Sequence, residues 1–270
     1  KTALQAAPIL TKAKLLFKTS LPTYPYANPY KEGDPIIDGI IREAGEPAEP
    51  KLLSFTCLTN DKNLILNALS DPAKASTLPP LLNAVFLEPL SLAAYHQSIR
   101  HRTVPTAVES IYAAFDRLAK KPEKSITIPP GINSSESLSR RFVDAIQTMI
   151  ESYESLRELG ALRSDAIYLA PQAMRIYAVR LYNAFNLLWP QGYVAMRTCS
   201  RSQWEERRIA YRIWSSIGER SPEIASIMGE RCKLLGYCPE REWCEIILKY
   251  REYDEEAHRR ALRRLGDDLE

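Results

Sequence analysis

Leu138, Phe142, Ile146, Ile150 and Tyr153 recur at intervals of three or four residues, and no other feature constrains the fold so strongly. Apolar side chains at that spacing share one face of an α-helix, so the segment from Ser135 onward must be a long helix laid against a hydrophobic surface. The pattern returns from Gln203 to Ile217, with Trp204, Ile209, Ile213 and Trp214. Ser164 and Asp165 are placed to cap a further long helix, kinked or broken at Pro171. From Ser135 on the chain therefore reads as mostly helical. The charged stretch from Glu240 to Leu265, which contains Trp243 and His258, reads as a helix with a solvated outer face.

Strand signals come earlier. Lys51-Leu-Leu-Ser-Phe-Thr-Cys-Leu58 has the composition of a strand, and Asn60 or Asp61 can cap a helix over Lys62 to Leu69. The apolar run Leu81 to Ala94 fits a buried strand running into a helix. The class that follows is α+β, helix-rich, with a small sheet. A chain of 270 residues, 45% of them hydrophobic, can bury one large core, and residues 50–270 are expected to form that domain. Residues 1–49 differ. Lys1 to Phe17 fits a short amphipathic helix, prolines forbid regular helix over Leu21 to Tyr30, and Gly45 to Pro50 is rich in breakers. The expectation is an arm wrapping a neighbour or the domain surface, or else a linker.

No apolar run is long enough to span a bilayer, since the most suggestive stretch, Tyr177 to Pro190, is interrupted by Arg180. The first residues lack the basic start and apolar core of a secretory signal, so a soluble cytoplasmic protein is expected. A net charge of +3 with both signs abundant excludes a strongly cationic nucleic-acid binder, but it leaves room for a local cationic pocket.

His96-Gln-Ser-Ile-Arg-His-Arg102 is where such a pocket is written. Burying two arginines around a histidine is costly without an anion, and the planar guanidinium fork suits phosphate oxygens. His101 offers a donor when protonated or a flat face for stacking, and Gln97 carries the donor and acceptor that match a uracil-like edge. Thr106-Ala-Val-Glu109 has capping-box form, which predicts a helix from Thr106 with Ser110 in or near its first turn. A helix N-terminus with a hydroxyl is a ready anion site. The bland alternative is an Arg-His-Arg that solvates a helix end. Glu205 and Glu206 read as surface partners of Arg208 and Arg212, and the tryptophans as core or interface anchors.

Four of the five cysteines, Cys199, Cys232, Cys238 and Cys244, fall in the last third. They fit a four-thiolate zinc site, although the spacing is not the usual Cys-x2-Cys knuckle. One or two disulfides, or free buried thiols, are the other readings.

Arg100-His101-Arg102, seven residues, then Ser110 resembles the signature of the flavin-dependent thymidylate synthases, and His96-Gln97 resembles its lead-in. Lys51 to Thr56 looks like that family's opening strand, and Arg197 with Gln203-Trp-Glu205 like its C-terminal motif. The ordered motifs run from about residue 51 to 218. The resemblance implies that family's fold in a homotetramer with sites at subunit interfaces. It implies FAD as cofactor, with dUMP methylated to dTMP using methylenetetrahydrofolate and NADPH, and no membrane or nucleic-acid partner. By match of position, Arg100, His101 and Arg102 would contact FAD. Gln97 and Arg100 would contact dUMP, Ser110 its phosphate, and Arg197 would polarise the pyrimidine. Asn186 or Asn183 matches a flavin-contacting asparagine, with Asn186 taken as the candidate and a small insertion following around Trp189-Pro190.

The chain departs from the family pattern at the phosphate end. Tyr112 stands where an arginine follows the signature serine, Val108 where a glutamate precedes it, and Ile167 where a second phosphate-binding arginine is usual. Losing two charge-assisted contacts costs about 3 to 6 kcal/mol of binding. Arg163, Arg140 and Arg141 are the candidate replacements. A catalytically impaired or regulatory relative that keeps the fold, with or without flavin, but not dUMP turnover is the alternative function.

Overall fold

The computed structural model describes residues 28–241, together with Cys244 and Ile246. The helix expected over Lys1 to Phe17, most of the charged tail, Trp243 and His258 lie outside the described residues.

A four-stranded antiparallel sheet of order β1-β2-β4-β3 forms the frame, with β1 Lys51–Cys57, β2 Leu82–Ser91, β3 Thr106–Val108 and β4 Arg175–Asn183. The labelled helices are α1 Pro35–Ala44, α2 Lys62–Ser70, α3 Leu92–Ser98, α4 Ile111–Lys120, α5 Glu136–Glu158, α6 Ala184–Leu188, α7 Tyr193–Arg197, α8 Trp204–Arg220, α9 Pro222–Ile227 and α10 Arg231–Leu235. The strand and helix read at Lys51 and Lys62 are present, and it is Asp61 that caps α2, accepting from the N–H groups of Asn63 and Leu64. The strand-into-helix reading of Leu81 to Ala94 is also met by β2 and α3. Pro89 falls inside β2 without penalty. β1 ends its pairing opposite Leu87, so the later part of β2 has a strand neighbour on β4 alone.

Helix α5 carries the stripe. Ser135 caps it, Ile146, Ile150 and Tyr153 are buried, and Tyr153 meets Phe115 of α4 with ring centroids 4.1 Å apart. Helix α8 buries Ile209, Ile213 and Ile217 against the same core. Helix α1 makes a smaller cluster, with Ile37 and Ile41 on Leu87 and Tyr177. Tyr177 Oη also donates to the Pro47 carbonyl at 3.0 Å.

Three local expectations are overturned. Thr106–Val108 is a strand, and the helix begins later, at Ile111, with Ser110 as its cap. The capping-box pattern lost because β4 offered Thr106–Val108 an open edge opposite Arg180, Val179 and Ala178. The long helix expected from Ser164 is only a turn over Arg163–Ala166 and a 3-10 turn over Ile167–Leu169. The central strand β4 follows, in a region read as helical. Its buried row is Ile176, Ala178, Arg180 and Tyr182, a period-two pattern disguised by the arginine within it. Glu205 and Glu206 are buried rather than on the surface, and Arg208 and Arg212 instead face Glu49.

Candidate functional site

Ser91 ends β2 and caps α3, accepting from the Ala94 N–H at 3.1 Å. Glu205 fixes this junction from α8. Its Oε1 accepts from the Ser91 N–H at 2.8 Å, and its Oε2 from Ser91 Oγ at 2.5 Å. From so anchored a start, α3 delivers Gln97 near its end, and the chain leaves by a tight turn. There the N–H groups of Arg100 and His101 donate to the carbonyls of Gln97 and Ser98. Arg100 and Arg102 face solvent, with His101 half-buried between them.

Asn186 ties this turn to α6. Its Nδ2 donates to the Thr103 carbonyl and to Asn183 Oδ1, each at 3.0 Å, and its Oδ1 accepts from Thr103 Oγ1 at 2.9 Å. The carboxamide is fully buried and engaged on both sides, so Asn186 shapes the Arg-His-Arg turn. After the Trp189-Pro190 loop, α7 packs hard on α6. A Cβ at Gly192 would overlap the Phe185 carbonyl oxygen. Helix α7 brings in Arg197, whose Nη2 donates to the Gln97 carbonyl at 3.2 Å. Residues 100 positions apart in sequence thus meet.

The His101 ring stands edge-on to Tyr193, with centroids 5.1 Å apart at 78°. Burial, then the guanidinium groups of Arg197 and Arg180, push its pKa down to about 4. The imidazole is therefore neutral at pH 7, and of the two roles read for it the flat aromatic face is the one it offers.

Behind Arg197 lies a buried charge network. Arg180 on β4, 1% exposed, donates from Nη1 to Glu88 Oε2 at 3.0 Å and stacks over the Tyr193 ring at 4.5 Å. Tyr182 Oη donates to the other Glu88 oxygen. Glu206 Oε2 lies 3.2 Å from Arg197 Nε and accepts from Tyr193 Oη at 3.3 Å. Two guanidinium groups and two carboxylates share this interior, which makes burial of the arginines affordable. The wall in front of them opens on a cavity of about 220 Å³, lined by His101, Arg197, Arg201, Ser202, Arg231 and the acidic Glu240 among others, with Glu240 3.8 Å from Arg231.

Sequence reasoning missed Arg180, Tyr193, Glu206 and Arg231. One signal was available: Glu206, Ile209, Ile213 and Ile217 share one face of α8, so an acidic residue sits in the row that faces the core.

Ser110 does not line that cavity. It is buried at the cap of α4, accepts from the Tyr112 N–H at 3.2 Å, and donates to the Lys31 carbonyl at 2.7 Å. The Ile111 N–H donates to the Pro29 carbonyl at 2.8 Å. Backbone carbonyls of the N-terminal segment therefore fill the anion-seeking end of α4. Tyr112 is half-buried and Ile167 is in the core. Of the candidate replacement arginines, Arg163 reaches α4, but its Nη2 is held by Asp116 at 2.6 Å and the guanidinium lies 4.9 Å from the Tyr112 ring centroid. Arg140 pairs with Glu136 along α5, and Arg141 is exposed.

All four late cysteines, Cys199, Cys232, Cys238 and Cys244, line one small cavity of about 20 Å³ beside the first. No disulfide joins them, and burial pushes Cys199 and Cys238 up and Cys232 to about 11. Among the described residues no group of three or more His, Cys, Asp or Glu side chains is arranged to hold a metal ion, so the zinc expectation is not supported. Nor does any helix of the described residues have the length and apolarity to cross a membrane.

These features define a class: an α+β protein with a cavity walled by His101 and Arg197 in front of a buried arginine–carboxylate network. Residues 59–223 match the family described as thymidylate synthase complementing protein, and the chain belongs to that family. It is similar to the flavin-dependent thymidylate synthase of Pyrococcus abyssi, 31% identical over 162 residues, covering 58% of this chain and 64% of that protein. The chain thus spans a little under two thirds of that relative. Similarity to the Pyrococcus horikoshii enzyme is 28% over 211 residues, 76% of this chain and 81% of that one. A solved Helicobacter pylori flavin-dependent thymidylate synthase with FAD and dUMP has the same fold at a TM-score of 0.55, with 17% identity over 68% of this chain and 99% of that one.

Proposed function

We propose that this chain binds FAD and a pyrimidine nucleotide and methylates dUMP to dTMP, with methylenetetrahydrofolate as carbon source and NADPH as reductant. The observation that carries the proposal is the meeting of two motifs a hundred residues apart: Arg197 donates to the Gln97 carbonyl and shares one cavity with His101. The fit to flavin rests on this chain's own chemistry. Arg100 and Arg102 project from a turn locked by Asn186, beside a neutral imidazole, and so offer two cations and a flat face to a planar anionic dinucleotide. Arg100, His101, Arg102 and, through the turn, Asn186 would hold it. Bound flavin would supply the hydride.

Arg197 is the group placed to work on the pyrimidine. A fixed guanidinium stabilises negative charge as it develops on a ring oxygen, and a preorganised site adds no reorganisation cost at that moment. Gln97 would read the base edge. The solvent-facing Arg100 and Arg102 suit a site completed by another subunit of a homotetramer. Residues 28–49 serve as the arm of the domain at 50–270.

A second reading has one specific observation in its favour. Ser110 and the α4 N-terminus, the expected phosphate end, are engaged by Lys31 and Pro29, with Tyr112 and Ile167 in place of arginines. A relative that keeps flavin but not dUMP turnover would look like this. The visible spectrum of the purified protein, taken before and after FAD and then dUMP, separates the two. A flavin band that shifts with dUMP supports the synthase. Flavin without a response to dUMP, or no flavin binding at all, supports the second reading and overturns the synthase.

A further inference from the structure

Glu206 is wholly buried on the core face of α8, where sequence alone calls for an apolar residue. The groups facing it come from three other elements: Arg197 and Tyr193 of α7, Arg180 of β4, and Glu88 of β2. Only one of its oxygens is engaged. Oε2 accepts from Tyr193 Oη at 3.3 Å and forms an ion pair with Arg197 Nε at 3.2 Å without hydrogen-bond geometry, whereas Oε1 has no hydrogen-bond partner. A carboxylate so placed is poorly compensated, because burial removes water from both oxygens and the protein replaces it at one. Protonating Oε1 sacrifices no existing hydrogen bond. Arg197 stands between this carboxyl group and the cavity, with His101 on the cavity wall beside it.

We propose that Glu206 is a positioning residue for Arg197: it holds the guanidinium from behind and, by its own charge state, sets how much positive charge Arg197 presents to a pyrimidine anion in the cavity. Ionised, Glu206 neutralises Arg197 from the rear. Protonated, it still accepts from Tyr193 and leaves the cation uncompensated on the cavity side. Burial pushes the Glu206 carboxyl up to about 7, against the pull of Arg180 and Arg197, so the change of state falls in the working range of pH. His101 does not interfere, since it is held neutral down to about pH 4. The identification of the ligand as a pyrimidine anion rests on the function proposed above. The coupling of Glu206 to Arg197 does not.

Two measurements test the two parts separately. The first uses the protein without ligand: the Nε–Hε resonance of Arg197 in a 15N-labelled sample, assigned by its loss in Arg197→Lys, followed from pH 5.5 to 8.5. A titration with a midpoint near 7 is expected in the wild type, flat in Glu206→Gln and shifted upward in Tyr193→Phe, which removes the donor to Oε2. Tyr193→Phe is the lesser change and carries the test should Glu206→Gln fail to fold. A flat wild-type curve, or one that persists in Glu206→Gln or is unmoved in Tyr193→Phe, overturns the proposal. The second is dUMP affinity by calorimetry over the same range. Wild type should weaken about three- to tenfold relative to Glu206→Gln as pH rises from 6 to 8. Comparing the two proteins at each pH cancels the ligand phosphate's own titration near pH 6. Equal pH dependence in the two overturns the proposal. An Arg197 titration in proteins that do not bind dUMP supports the coupling and overturns the nucleotide reading instead.

Discussion

Two segments of this chain were expected to contact an anion, and the structure leaves a cavity beside one of them and covers the other with backbone. At the Arg197 end, cations are held from behind by buried carboxylates, and a cavity of about 220 Å³ lies in front. At the Ser110 end, the helix terminus and hydroxyl that could hold a phosphate are satisfied by the carbonyls of Pro29 and Lys31. An anion site needs donors and also a vacancy, and a helix N-terminus covered by the chain's own backbone has none. The difference also separates two ways of supporting charge. The first end spends buried carboxylates on its arginines. The second also holds a buried pair, Glu109 with Arg117 at 2.7 Å, but these two groups are engaged with each other and with the backbone of Arg175 and Tyr177.

The largest effect should come from breaking the first end at its root. Arg180→Met leaves Glu88 buried with Tyr182 as its remaining donor, and one-sided removal from a buried pair costs about 3 to 5 kcal/mol. Urea denaturation should show that loss, and a change below about 1 kcal/mol would mean that the network is better hydrated than its geometry implies. Glu206→Gln acts on stability in the opposite sense at neutral pH. The folded-state pKa of Glu206 is raised from 4.5 to about 7, so its contribution is full below 4.5 and is lost as pH rises through 7. That loss is about 3 kcal/mol. The stability of the variant relative to wild type should therefore rise between pH 4.5 and 8, and a difference independent of pH would refute the assignment. Arg197→Gln, third in size, should weaken the flavin-spectrum response to dUMP by about ten- to a hundredfold, as expected for a charge-assisted contact worth about 1.5 to 3 kcal/mol.

The same contrast explains what could be read from the sequence. The stripe on α5 from Phe142 on, the Lys51 strand, the cap of α2 and the helix read from Gln203 are local patterns, and the chain follows them, although Leu138 at the head of the stripe is exposed. The failures are all tertiary. Thr106–Val108 chose an open strand edge over a capping box, and β4 hid its alternation behind a buried arginine. Arg180 and Glu88, 92 residues apart, become intelligible only as a pair. Gln97, His101 and Arg197 were legible by motif, whereas Arg180, Tyr193 and Glu206 behind them were not, nor was the closure of the Ser110 end by residues 29 and 31, because carbonyl oxygens leave no mark in a sequence.

Ser110→Ala is the smallest change and the sharpest test of the comparison. It removes the cap of α4 and the bond to Lys31, so a stability loss of about 1 kcal/mol is expected in either case. Nucleotide binding discriminates. If the N-terminal segment keeps the Ser110 end closed, dUMP affinity should change less than about twofold, since the hydroxyl was never available to the ligand. If the segment gives way to the phosphate, the variant should bind about tenfold more weakly, the worth of one charge-assisted hydrogen bond. Removing residues 1–33 while keeping the Asp34 cap of α1 should then amplify the contrast. Opening the α4 terminus is expected to strengthen dUMP binding several-fold, and Ser110→Ala in that shortened chain should cost the tenfold that it does not cost in the full one. An unchanged affinity on truncation would place the phosphate elsewhere and leave Arg163, held by Asp116 over Tyr112, as the next group to examine.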